Sequence, residues 1–340
     1  MIVKARLKIL ILFIVPLIII ILYFLVKLPG FLMDTESENQ VLKIHSPLNE
    51  RIIIPIIKEF QESTGILTEY TSAGTLDLLH SLEDKGDKYL MDLMWGGSKE
   101  YLTIYEDLFE PLYYESSTEY TLGYNLLPIV LIYNRKLVSE EEVSRSWSDI
   151  LQPKWKGRLA LADPEGSGSA YIALSFLLEL GMEEEYNWDN AAKLYYNVEG
   201  KMLSKSSEVY NGVADGDFAI GITMEEAAIN LIHQGKDIGI VYLNEGTPVI
   251  NDSIALMKDA RHKEEAKAFI EFVLSKKVQT FMVDRFYLRS VRNDVRVPNG
   301  LSSMDELNIF DASNLSTFDN QEMILNKWRN IIADFDKMDL

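Results

Sequence analysis

The chain has 340 residues, 47% hydrophobic and 25% charged, with a formal charge of −19 and no cysteine. That length and apolar content give room for two domains with real cores and exclude a disordered chain. The missing cysteine excludes disulfides, zinc–thiolate sites, iron–sulfur clusters and a thiol nucleophile, and so acidic a surface repels nucleic-acid phosphates.

The charge is uneven. Residues 1–33 hold Lys4, Arg6, Lys8 and Lys27 and no acid, which leaves −23 for the rest. From Ile9 to Val26 the chain is without charge for 18 residues; as a helix this rises about 27 Å, close to a bilayer's hydrocarbon core. Pro16 kinks a membrane helix without excluding it. No small-x-small cleavage site follows, so residues 1–33 are expected to form a retained anchor spanning about 9–26. Basic residues before the span and Asp34, Glu36 and Glu38 after it put the N-terminus in the cytoplasm and the body outside, extracellular or periplasmic. A signal peptide cut near Gly30 places the body on the same side.

The body alternates strand and helix patterns. Val41–Ser46 reads as a strand, followed after Pro47 by a helix through Phe60 that stops at Gly65. Ile66–Tyr70 is a second strand, Gly74–Leu82 a second helix, and Asp92–Trp95 a third strand ended by Gly96 and Gly97. This β-α-β-α-β rhythm predicts an α/β fold with a mainly parallel sheet. Further short strands are expected at Ile129–Tyr133, Arg158–Ala162, Phe218–Ile222, Ile238–Tyr242 and Ser253–Met257.

Three loops after strands carry the functional signal: Thr71–Thr75, Gly96–Ser98 and Asp163–Tyr171. Each lies at the carboxyl end of a strand, the edge at which open α/β sheets bind ligands. Glycine lets backbone approach a ligand, helix-start N–H groups attract anions, and Ser and Thr add uncharged donors. Taken singly, Thr71–Thr75 and Ser167–Ser169 also suit helix capping; together with Gly96-Gly97 they point to a shared anion pocket.

Those loops occur in a specific order with Gly123–Asn134, Trp147–Leu159, Glu245–Thr247 and Arg289–Val295. From about Val41 to Val297 the chain resembles the extracellular solute-binding proteins of ABC importers, in the branch of the ferric-iron and organophosphate (phosphonate, phosphoglycerate, hexose-phosphate) binders. The resemblance implies a two-lobed, type II periplasmic-binding-protein-like α/β fold with a hinge, behind one N-terminal transmembrane helix. Lobe 1 is expected at 34–127 plus 251–340 and lobe 2 at 128–250, with crossings near Tyr124–Ile129 and Thr247–Ser253. By the same resemblance Ser46, Ser72, Gly74, Thr75, Gly97, Ser98, Ser167, Gly168, Ser169, Thr223 and Glu225 are cleft positions. Thr75 and Ser169 are the expected hydroxyl donors to a phosphate-like group, Gly74 and Gly168 offer N–H groups, and Glu225 or Glu245 accepts from the rest of the ligand.

The implied function is capture of a small anionic solute, for an ABC permease or for a membrane histidine kinase that senses occupancy. The uncleaved anchor favours sensing. No cofactor and no enzymatic activity are expected, and the protein is expected to be monomeric. The alternative is a ferric-iron binder, but the tyrosine pair usual in that branch is missing where this chain reads Gly221–Glu226. Tyr113-Tyr114 and Tyr195-Tyr196 stand elsewhere, and His45 with Glu50 is a poor ferric donor set. His45, His80, His233 and His262 lack metal-ligand spacing, and Ser167 lacks a G-x-S-x-G elbow. Arg289 and Arg292 either reach an anionic ligand or pair with Asp284 and Asp294.

Overall fold

The computed structural model describes residues 41–83, 91–114, 117–182, 185–310 and 318–338. The apolar span expected at 9–26 lies outside them. Strand β1 (Val41–Ser46) buries Leu42 and Ile44 and exposes Lys43, the alternation of a sheet covered on one face. Helix α1 (Glu50–Thr64) starts where Asn49 accepts from the Arg51 N–H, and buries Ile52, Ile53, Ile56, Ile57 and Phe60. It ends at Gly65, whose φ of 77° is the left-handed cap that glycine adopts without a Cβ clash.

The chain continues through β2 (Leu67–Ser72), α2 (Thr75–Glu83), β3 (Leu93–Ser98), α3 (Lys99–Ile104), a small hairpin β4 (Leu112–Tyr114) and β5 (Ser117–Glu119), and the long strand β6 (Leu122–Asn134). Next come α4 (Trp147–Ile150), β7 (Leu159–Ala160), α5 (Gly168–Glu179), α6 (Trp188–Val198), α7 (Ser206–Asp215), β8 (Ile220–Met224), α8 (Glu225–His233), β9 (Ile238–Val241) and a second long strand, β10 (Thr247–Leu256). The last elements are α9 (Lys263–Leu274), α10 (Lys276–Phe286), β11 (Arg289–Ser290), β12 (Ile309–Phe310) and α11 (Phe318–Met338).

Two lobes follow from the pairing. In the first, β1 lies parallel to β2 and β3, β3 is antiparallel to β10, and β10 to the first half of β6, which also pairs β11. In the second, the later half of β6 runs antiparallel to β8 and β9, and β7 lies parallel beside β8. Strands β6 and β10 therefore cross between lobes as an antiparallel pair. Pro128 sits where β6 exchanges partners, its register with Val249 ending as Ile129 meets Met224; a residue without an N–H suits that break.

The structure corrects the sequence reading in three places. The sheet is mixed rather than mainly parallel, because the hinge strands pair antiparallel. Gly96 and Gly97 do not end β3: at φ 106° and 101° they carry it on to Ser98, opposite Asp252. The C-terminal helix, expected with the first lobe, packs on the second. Trp328 and Phe335 set their rings on Tyr195 of α6, at centroid distances of 5.7 and 5.5 Å. An amphipathic pattern says which face is buried and nothing of which lobe receives it.

Candidate functional site

On the first lobe the carboxyl edge of β1, β2 and β3 gathers several of the expected residues. The fully buried Ser46 hydroxyl donates to the Trp95 carbonyl at 2.6 Å. Thr75 opens α2 beside Gly97, where an added Cβ would meet Thr75 Cγ2 at 3.0 Å. Ser98 caps α3 by accepting from the Tyr101 N–H at 3.2 Å. Gly74 precedes α2 in an exposed loop, and Ser72, also exposed, points its hydroxyl at the Leu48 carbonyl at 3.4 Å. The Gly97 N–H is already engaged, donating to Asp252 at 2.7 Å.

On the second lobe three hydroxyls meet. Ser167 caps α5 by accepting from the Ala170 N–H at 3.4 Å. The oxygens of Ser167, Ser169 and Ser206 lie 3.1, 2.9 and 3.0 Å apart, a closed triangle between the starts of α5 and α7. Lys205, the residue before α7, offers no side-chain cap to that helix. Two helix starts, each with first-turn N–H groups lacking intrahelical partners, thus converge on rotatable donors. Ser206 had no glycine or loop signal in the sequence; the packing of α7 on β8 brings it there. A Cβ at Gly168 would stand 3.6 Å from the Tyr101 ring, so this loop faces the first lobe. Tyr101 and Tyr171 meet edge to face across the cleft at 5.5 Å.

Two expected acceptors are committed elsewhere. Glu225 forms a bidentate ion pair with Arg289, 2.6 Å from Nε and 2.9 Å from the second guanidinium nitrogen, and also accepts from Tyr242. Both partners are buried, and three of the carboxylate's roughly four lone-pair directions are taken by Arg289 and Tyr242. Glu245 accepts from the Ser146 hydroxyl and from the N–H groups of Trp147 and Ser148, at 3.0 and 3.3 Å, so it holds the start of α4. Burial alone would raise its carboxyl, but these bonds hold it below the usual range. Arg292 pairs with Asp294 at 2.7 Å, while Arg289 took a partner that its sequence neighbours did not indicate. Thr223 is fully buried on β8, and its hydroxyl has no partner among the described residues.

Two further features had no signal in the sequence. Asp252, on β10, is buried and accepts from Gly97 N–H and from Tyr124 Oη at 2.5 Å; burial pushes its carboxyl up to about 7. Arg51, in the first turn of α1, reaches across the cleft to Glu226 in the first turn of α8. The described histidine side chains do not assemble. His262 pairs with Asp92 at 2.9 Å, His233 stacks on Tyr287, and His45 is buried with its pKa lowered by that burial. Among the described residues no three His, Asp or Glu side chains form a metal-holding group.

A family model for bacterial extracellular solute-binding proteins matches residues 49–288. Iron uptake protein A1 of Synechocystis is 22% identical over 295 residues, 80% of this chain and 82% of that protein. The periplasmic binding protein AfuA of Actinobacillus pleuropneumoniae, solved with fructose-6-phosphate, superposes with a TM-score of 0.79 at 19% identity, over 87% of this chain and 99% of that one. A solved two-component system protein described as mediating signal transduction superposes with a TM-score of 0.71 at 23% identity, over 85% of this chain and 99% of that one.

Proposed function

Because the chain belongs to the bacterial extracellular solute-binding proteins, a family of binding proteins rather than enzymes, we propose that it captures a small phosphorylated solute between its lobes. The observation that carries this reading is the Ser167–Ser169–Ser206 triangle at two converging helix starts. Three hydroxyls bonded to one another are satisfied without a ligand. Rotated outward, each donates to a phosphate oxygen in a partly desolvated site, where hydrogen bonds to charge contribute about 1.5–3 kcal/mol each. The body's −23 repels an anion at long range, but screening confines that repulsion to about 8 Å, and capture depends on these local donors. The fructose-6-phosphate bound to AfuA supports the same ligand class.

The body is held outside the membrane by the 9–26 span, and occupancy is read by an ABC permease or by a sensor kinase. The likeness to a two-component system protein supports the sensing arm. Iron is the second reading, supported by the name of the Synechocystis relative. Against it, Tyr195 is packed under α11 and Tyr196 lies exposed beneath Lys156, so that pair supplies no phenolates to the cleft. The test is a thermal-shift screen of the detergent-solubilised chain against fructose 6-phosphate, glucose 6-phosphate, inorganic phosphate and ferric citrate. A ligand at a hundredfold excess over its dissociation constant adds about 2.7 kcal/mol. Stabilisation by a sugar phosphate is expected; stabilisation by ferric citrate alone overturns the reading.

A further inference from the structure

Arg51 and Glu226 occupy matching places on the two lobes. Each is the second residue of a helix that leaves the carboxyl end of a strand, Arg51 after β1 and Glu226 after β8. That is the edge at which such sheets meet ligands. The guanidinium contacts the Glu226 carboxylate directly. With the Asn230 amide turned so that its oxygen faces the arginine, that oxygen also accepts from Arg51, at 2.8 Å. Glu226 and Asn230 lie four residues apart, on one face of α8.

This contact differs from the ion pair next to it. The Arg289–Glu225 side chains are 3% and 1% exposed, whereas Arg51 is 31% and Glu226 12% exposed. The first pair is sealed at the hinge; the second opens to water whenever the lobes part. A guanidinium is the side chain whose planar fork of N–H donors matches a phosphate bidentately. The donors expected from the sequence, by contrast, are hydroxyls and backbone groups. Arg51 thus supplies a positive charge at the cleft edge of a strongly acidic body, and a carboxylate of the opposite lobe covers it.

We propose that Arg51 is the charged anion-binding residue of the cleft and that Glu226 with Asn230 takes the ligand's place on it when the cleft is empty. The two groups compete for one guanidinium. The ligand anion displaces Glu226, and without ligand the same arginine draws the lobes together. The ligand half rests on the phosphorylated-solute reading; the ligand-free half does not.

The two halves have separate readouts. In titrations of the full-length chain with fructose 6-phosphate and inorganic phosphate, Arg51→Gln is expected to weaken binding tenfold to a hundredfold. Glu226→Gln is expected to tighten it, about fivefold or more, because a competitor is gone and the competent fraction rises. A merely structural pair gives the opposite second sign or none. For the ligand-free state, the absence of native cysteine lets spin labels be placed singly at Lys58→Cys and Lys201→Cys, one on each lobe. Double electron–electron resonance should show Arg51→Gln and Glu226→Gln each shifting the interlobe distance to longer values. Unchanged distances in both variants overturn the latch. Normal binding by Arg51→Gln, or weakened binding by Glu226→Gln, overturns the anion role. A wild-type chain that binds neither phosphate probe removes the phosphorylated-solute reading and the ligand half with it, while the distances still decide the latch.

Discussion

For a serine hydroxyl in the second-lobe triangle, mutation separates helix capping from the proposed ligand contact. On the proposed function, Ser206→Ala removes a ligand donor but caps nothing, since α7 takes no side-chain cap. Affinity for a phosphorylated ligand is expected to fall roughly tenfold to a hundredfold with unliganded stability changed by less than about 1 kcal/mol. Ligand titration beside urea unfolding checks it, and normal binding by this variant would reduce the triangle to packing. Asp252 offers a second residue-level test. An acid raised to about 7 in the folded state binds more protons folded than unfolded between its ordinary value near 3.9 and 7. Its contribution is therefore favourable below that window and is lost as pH rises through it, by on the order of 4 kcal/mol at most. Asp252→Asn keeps an acceptor for the Gly97 N–H and should remove the slope in urea unfolding between pH 4.5 and 7.5; parallel profiles would contradict the assignment. Residue roles were legible where chemistry is local. Ser167 stands directly before a helix, and a hydroxyl there caps. The partners of Glu225 and Glu245 were not legible, because Arg289 and Ser146 lie 64 and 99 positions away in sequence.

At the scale of elements, the first-lobe β-α-β-α-β run could be read from period and punctuation, since each apolar stretch is bounded by Gly, Pro or Asn. What could not be read was pairing. Asp92–Trp95 was expected to stop at two glycines, yet β3 continues to Ser98 because the antiparallel β10 supplies partners that no local pattern records. The docking of α11 is likewise tertiary. Trp328 is fully buried against Tyr195 of α6, so Trp328→Ala should release the helix from the second lobe, with a loss of about 3–5 kcal/mol of local packing. Hydrogen exchange should then show lost protection confined to 318–338 and α6, with β1 and β3 unchanged. Loss spread through β1 and β3 would mean that α11 supports the whole fold rather than one lobe's surface.

For the whole molecule, two long strands make the hinge, and a family of binding proteins supplies its use. A retained anchor over residues 9–26 predicts that mass spectrometry of the membrane fraction finds the intact N-terminal peptide. A soluble form starting near residue 30 would remove the anchor and the preference for sensing. Lobe closure around a ligand is the motion such a hinge permits. The two-lobe plan was legible because its motifs are spread in order along the chain, whereas the cross-cleft Arg51–Glu226 contact joins residues 175 positions apart in sequence. In the proposed function the cleft selects a phosphoryl group through neutral hydroxyls and one arginine. Isothermal titration of the full-length chain with fructose 6-phosphate, fructose and ferric citrate tests it most directly. Saturable binding of the phosphate ester is expected, and none of the neutral sugar. Equal binding of fructose, or binding of ferric citrate alone, would contradict it.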